Sequence, residues 1–256
     1  MSLSLFDLTG RVAFVTGGNG GIGKGIAVGF ARAGAKVVIA ARNPEKTRAA
    51  VAELETEGTE ALGLTFDVTD RRSVAEAIAA AAERFGGLDI LVNDAGTNIR
   101  SRGPEDMPPD AWETVIATNL TGVYNCSTLA YPEFKRRGRG KVINIGSMMS
   151  IFGTGYASAY AASKGGVVQY TKSCAVGWAK DNIQVNAILP GWITTEMARA
   201  FLQRYPERYD AIVSRTPAGR WGMPHELAGT AIFLASEASD FVTGAAIPVD
   251  GGYAVC

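Results

Sequence analysis

Ser147, Tyr160 and Lys164 are of the right chemical types to move a proton. Tyr160 and Lys164 stand four residues apart, so on a helix the phenol and the ammonium share one face, with β-carbons about 5–6 Å apart. A free phenol titrates near ~10 and is a poor acid or base at neutral pH until a nearby cation stabilises its anion. Lys164 can be that cation. The chain has one histidine, His225, which excludes an acid/base site built on several imidazoles and shifts the task to such a tuned phenol. Taken alone, the same spacing also describes a helix with one polar face.

The elements that would position these groups begin near the N-terminus. Arg11 to Thr16 is a short apolar, β-branched run, followed directly by Gly17-Gly18-Asn19-Gly20-Gly21-Ile22-Gly23. Lys24 to Gly34 is apolar at Ile26, Ala27, Phe30 and Ala31 and closes on glycine, the pattern of a capped amphipathic helix. With a second strand from Lys36 to Ala41, the order is strand, glycine turn, helix, strand. In that context a glycine pattern reads as a dinucleotide site, because the turn lets backbone approach a pyrophosphate at the helix N-terminus.

Together these features resemble the short-chain dehydrogenase/reductase family over nearly the whole chain. Thr16 to Gly23 is similar to its cofactor loop, and Asn93-Asp94-Ala95-Gly96 to its N-N-A-G element after the fourth strand. Asn119, Ser147, Tyr160 and Lys164 fall where its catalytic tetrad falls, and Pro190-Gly191 matches the turn after its sixth strand. Asp94 departs from the pattern, which has an amide there; altered local hydrogen bonding is expected, without loss of the cofactor site. The resemblance implies NADP(H) contacts from Gly17, Asn19, Gly20, Gly21, Ile22, Gly23, Arg42, Asp67, Val68, Asn93, Ala95, Gly96, Tyr160, Lys164, Pro190, Gly191, Ile193 and Thr195. For the chemistry it implies that Tyr160 exchanges a proton with the substrate oxygen while the nicotinamide exchanges a hydride with the same carbon. Lys164 lowers the phenol's pKa and bonds the nicotinamide ribose, Ser147 holds the substrate oxygen, and Asn119 helps hold a relay water.

Seven strand-like runs, at 12–15, 37–40, 61–66, 90–93, 142–145, 184–189 and 246–249, alternate with helix-like stretches. Such alternation specifies an α/β fold: one doubly wound, Rossmann-type parallel sheet of seven strands with helices on both faces. At 256 residues the chain fits a single domain. Asn119 is placed inside one long helix from Ala111 to Phe134. The irregular, aromatic-rich stretch 193–223 follows a strand at its carboxyl end, where such folds bind ligands, and reads as a substrate lid; a surface excursion or subunit contact is the plainer reading.

The 25 basic and 25 acidic residues balance, so no net field points to nucleic acid or an anionic membrane as partner. Three cysteines, Cys126, Cys174 and Cys256, lack C-x-x-C spacing and argue for a reducing compartment and against a disulfide framework or zinc site. No signal-peptide pattern opens the chain and no apolar run nears the roughly 20 residues a bilayer requires, so a cytoplasmic protein without metal is expected. The family resemblance implies a homotetramer, for which Val123, Val167, Val168 and Trp178 are interface candidates.

The second strand ends Ala40-Ala41-Arg42-Asn43, without the acid that would bond a ribose 2′-hydroxyl. Arg42 offers a permanently charged fork suited to a 2′-phosphate, which favours NADP over NAD. Asp67 matches the family's adenine-contacting acid, although a helix N-cap would also explain it. Arg100 and Arg102 follow the fourth strand, at the expected mouth of the site, and arginine suits a carboxylate. With Ser147, Met149, Tyr160 and Trp192 they form the expected substrate site. The stretches 143–150, 216–222 and 249–253 resemble the gluconate 5-dehydrogenase and 2-deoxy-gluconate 3-dehydrogenase branch, which implies a keto sugar acid as substrate. A 3-oxoacyl thioester, or neutral polyols and cyclic ketones, are the alternatives; Met148, Met149, Phe152 and Trp192 would suit an apolar substrate or equally a core.

Overall fold

In the computed structural model, which describes residues 4–256, successive residues of the first strand, β1 (Val12–Thr16), feed two different cores. Ala13 and Val15 pack on one face of the sheet with Ile26, Phe30 and Leu54, while Val12 and Phe14 pack on the other with Val74, Ile78 and Phe134. A strand buried on both faces needs no polar side, which is why these runs are continuously apolar. The remaining strands are β2 (Lys36–Ala41), β3 (Ala61–Thr65), β4 (Ile90–Asn93), β5 (Gly140–Ile145), β6 (Ile183–Pro190) and β7 (Ala246–Val249). They form one parallel sheet in the order β3-β2-β1-β4-β5-β6-β7.

The first face is covered by α1 (Gly21–Arg32), α2 (Pro44–Thr56) and, late in the chain, α9 (Ala228–Ala235). The second is covered by α3 (Arg71–Phe85), α5 (Gly122–Arg137) and α6 (Ser158–Trp178). Between β1 and β4 the strand order reverses, opening a crevice at their carboxyl ends, the place where doubly wound sheets bind ligands.

The expected helix from Ala111 to Phe134 is not uniform. α4 (Pro109–Ile116) runs through a π-helical turn, Ala117–Thr121, into α5, and Asn119 sits in that turn, fully buried. A π turn widens the backbone locally and is common at functional positions. The basic run at Lys135 to Arg137 ends α5, closed by Gly138 in the left-handed conformation at φ 67°.

The stretch 193–223 is also more ordered than its sequence suggests. It holds two short helices, α7 (Glu196–Arg204) and α8 (Arg208–Arg215), and its two ends are pinned by the bridge between Ile193 and Gly222. Their shared core is Phe201, Ile212 and Trp221, with Trp192 stacked on Phe201 at 5.4 Å between ring centroids. Short polar helices joined by prolines carry little periodic signal, so the aromatic cluster that orders them is visible only in three dimensions.

Val123 and Val167 are buried within the chain itself and are not available to an interface, whereas Val168 and Trp178 pack against the core and are only partly buried. Apolar exposure on these helices falls instead on Trp112, Tyr124 and Val176. No described helix is long and apolar enough to cross a membrane.

Candidate active site

The glycine loop after β1 is shaped to admit an anion. Gly17 and Gly21 have φ of 70° and 52°, a region closed to most side chains, and a Cβ on Gly20 would face open space. α1 starts at Gly21 with no side-chain cap from its N-cap residue, Gly20, so the amides of Gly21 and Ile22 are available to a ligand oxygen. The loop is held from beneath: Thr16 Oγ1 accepts hydrogen bonds from the amides of Asp94 and Ala95, both at 3.0 Å, and Gly23 N donates to Asp94 Oδ2 at 2.9 Å. The departure at Asp94 thus changes the chemistry of this bond network and leaves the loop intact.

A cavity of about 550 Å³ runs from this loop to the ends of β4, β5 and β6. Arg42 lines one end, just beyond β2 and before the α2 N-terminus, where Asn43 Oδ1 caps Lys46 N at 2.9 Å. Lys46 Nζ, also at that end, pairs with Glu196 at 2.7 Å. Asp67 lines the cavity but is not the N-cap of α3. That role belongs to Asp70, which accepts from Arg72 N at 2.9 Å, while Asp67 Oδ1 accepts from the amide and hydroxyl of Thr69.

At the centre stand Ser147, Tyr160 and Lys164. Ser147 follows β5 and caps a single helical turn, accepting from Met149 N at 3.1 Å. Tyr160 and Lys164 rise from the first turns of α6, as their spacing requires. Lys164, 4% exposed, donates to the Ile145 carbonyl at 2.7 Å, and its Nζ lies 5.7 Å from the Tyr160 ring centroid. Burial pushes the Lys164 ammonium down to about 8, against the opposing pull of Asp94. Tyr160 is not lowered as the sequence suggests. Burial pushes its phenol above the ordinary range, with Asp94 adding to the rise and the Ser147 hydrogen bond and Arg100 opposing it. The Lys164 ammonium is turned to a carbonyl, and the resting phenol is protonated.

Asn119 lies behind this centre and does not line the cavity. Its Oδ1 accepts from Thr97 N at 2.8 Å, and both amide hydrogens are used, on the Thr97 carbonyl and on Ser163 Oγ. The side chain therefore braces the strand-end loop and offers no donor to a relay water. Asn93 is likewise buried, donating to Ser127 and Asn144, and Gly23 lies behind the loop. The other expected cofactor residues, Gly17, Asn19, Gly20, Gly21, Ile22, Val68, Ala95, Gly96, Pro190, Gly191, Ile193 and Thr195, all line the cavity.

The two arginines after β4 part company. Arg102 is exposed and outside the cavity lining, whereas Arg100 lines it together with Met149 and Trp192. The Arg100 guanidinium carbon lies 4.1 Å from the Phe201 ring centroid and 5.8 Å from that of Tyr156. Its Nε is buried without a partner, and it takes part in no ion pair among the described residues. Asn98 Oδ1 and Thr154 Oγ1, from residues on the same lining, are buried and unpartnered too. Sequence reading missed Asn98, Thr154 and Tyr156; Asn98 stands two residues before Arg100, but nothing in the pattern separates it from a loop asparagine. Phe152, a possible apolar substrate contact, is turned to Tyr253 instead.

The chain is similar to known proteins along nearly its whole length. A family model described as enoyl-(acyl carrier protein) reductase matches residues 17–254. Gluconate 5-dehydrogenase of Gluconobacter oxydans (strain 621H) is 40% identical over 252 residues, covering 98% of this chain and 97% of the relative. The 5-keto-D-gluconate 5-reductase of Escherichia coli (strain K12) is 42% identical over 253 residues, covering 98% of each. Among solved structures, a gluconate 5-dehydrogenase from Burkholderia cenocepacia J2315 in complex with NADP and tartrate superposes with a TM-score of 0.95 at 42% identity, over 100% of both chains.

Proposed function

The chain belongs to the short-chain dehydrogenase/reductase family, and from that premise we propose that it interconverts a secondary alcohol and a ketone of a sugar acid, of the gluconate and 5-keto-gluconate class, with NADP(H). The observation that carries the substrate class is Arg100: a partly desolvated cation with no acidic partner, on the same cavity as Ser147 and Tyr160. Such a group is stabilised by a ligand carboxylate. The buried, unpartnered Asn98 and Thr154 oxygens suit the hydroxyls of a polyol chain. The relatives named for gluconate and 5-keto-gluconate, and the neighbour holding NADP and tartrate, support the same reading.

The residues present fit the dinucleotide. The α1 amides and the glycine cradle would hold its pyrophosphate, Arg42 its 2′-phosphate and Lys164 its nicotinamide ribose. Bound nicotinamide supplies or accepts the hydride. The protein does the rest: Ser147 donates a hydrogen bond to the substrate oxygen, Tyr160 delivers a proton to that oxygen in reduction and removes it in oxidation, and Arg100 fixes the carboxylate end. Asn119 acts as a positioning residue through Thr97 and Ser163. The 193–223 segment, whose Phe201 stands against Arg100 and stacks on Trp192, closes the substrate end as a lid.

The exposed Trp112, Tyr124 and Val176 on α4, α5 and α6 support a homotetramer, with a light-scattering mass of about four times 26.9 kDa as the expected result and a monomer as the contrary one. The activity itself is tested by following NADPH absorbance with 5-keto-gluconate, an acetoacetyl thioester and simple ketones. The sugar acid is expected to give the highest kcat/KM. A thioester used better would move the protein to acyl reduction.

A further inference from the structure

Asp94 is the one acid set into the cofactor loop. Its Oδ2 would lie 2.5 Å from a Cβ on Gly23, so the carboxyl occupies room that only the bare α-carbon of Gly23 leaves, and it would touch a Cβ on Gly17 at 3.4 Å. Among the described residues a single donor reaches it, the Gly23 amide at 2.9 Å. A carboxylate in such a place would keep most of its lone pairs unpaired, a costly arrangement that a neutral acid avoids.

The surrounding charges do little to offset that cost. From α6 it faces Lys164, whose Nζ is committed to the Ile145 carbonyl, and the neutral phenol of Tyr160. From α1 the only ionisable neighbour, Lys24, is turned outward to Glu53 at 2.7 Å. β1 contributes Thr16, the turn after it Gly17 and β5 Ile145, none of which carries a charge; Arg100, beyond Tyr160 in the loop after β4, acts on the phenol. Burial raises the Asp94 carboxyl to about 7, with Lys164 and the Gly23 amide opposing the rise. An acid so placed changes charge near neutral pH, directly beneath the loop that would receive a dianionic pyrophosphate.

We propose that Asp94 is a proton-linked positioning residue, holding the dinucleotide loop as a neutral carboxylic acid in the bound state, so that the protein takes up a proton when NADP(H) binds. The inference rests on the dinucleotide reading given above. The balance is one proton from solvent to one Asp94 oxygen per cofactor bound, partial where the free acid is already protonated. The sign follows from charge: a dianion arriving beside a carboxylate favours the protonated form, so affinity falls as pH rises through the free acid's titration. Lys164 losing its charge at higher pH acts in the same direction, and the cofactor's 2′-phosphate, titrating near ~6, acts oppositely. A neutral isostere at position 94 separates the acid from both.

The test is NADPH binding by fluorescence at pH 6, 7 and 8 with the parent protein and Asp94→Asn, which keeps the acceptor for Gly23 and removes the titration. The ratio of parent to variant Kd should rise severalfold to about tenfold from pH 6 to pH 8. A ratio constant across that range overturns the proposal, even with tight binding by both. If Asp94→Asn does not fold, Asp94→Ser, which also keeps an oxygen acceptor and removes the titration, takes its place in the same comparison. Absence of NADPH binding by the folded parent at every pH would overturn the cofactor reading and this inference together.

Discussion

The guanidinium carbon of Arg100 lies 4.1 Å from the ring centroid of Phe201, joining the loop after β4 to the first helix of the 193–223 segment. An arginine held on an aromatic face keeps its charge and its donors while its orientation is restricted. Phe201→Ala should therefore raise KM for a sugar-acid substrate, by roughly 2- to 30-fold for a contact of about 0.5–2 kcal/mol, with a smaller effect on kcat. Steady-state kinetics check this; an unchanged KM would mean that the contact is only structural.

Tyr160→Phe removes the proton donor and keeps the ring. Turnover should fall by ~10²–10⁴-fold while NADPH binding stays near that of the parent. Retention of more than a few per cent of kcat would remove Tyr160 from the acid/base role.

The phenol's upward shift gives the two reaction directions different pH profiles. Reduction uses the protonated phenol, which burial favours, so its kcat/KM should stay level through neutral pH and decline only in alkaline solution. Oxidation uses the deprotonated phenol and should climb as pH rises from 7 to 9. Lys164, lowered to about 8, remains mostly charged below that pH and loses its charge above it, which should flatten the climb. An oxidation rate that peaks below pH 7 would contradict the assignment.

Arg42 lines the cavity and is in no ion pair among the described residues, so it is available to a phosphate. Arg42→Asp should shift preference from NADPH to NADH by removing the phosphate partner and adding a carboxylate for the ribose. The ratio of kcat/KM for the two cofactors reads this directly. A parent enzyme that uses NADH as well as NADPH would contradict the role.

The fold was legible because each strand is a short apolar run bounded by turn residues; Val12 to Val15 and Ile90 to Asn93 are found where the sequence places them. Tyr160 and Lys164 were legible because helical spacing fixes their face. The state of the phenol was not, since it depends on burial and on where the Lys164 ammonium points, the Ile145 carbonyl, nineteen residues away in sequence. Nor could spacing show that Asn119 spends its amide on Thr97 and Ser163, or distinguish Arg100 from Arg102. That last choice is made by Phe201, about a hundred residues further along, whose ring receives one guanidinium while the other stays in solvent.

The separation of the two arginines makes the substrate assignment open to one comparison. Arg100→Ala and Arg102→Ala are assayed with 5-keto-gluconate and with an uncharged ketone of similar size. A charge-assisted bond to the carboxylate is worth about 1.5–3 kcal/mol, so Arg100→Ala should raise KM for 5-keto-gluconate more than tenfold and leave the neutral ketone nearly unaffected. Arg102→Ala should change neither. Equal losses on both substrates, or none on either with Arg100→Ala, would contradict the claim that this cavity is built for a sugar acid.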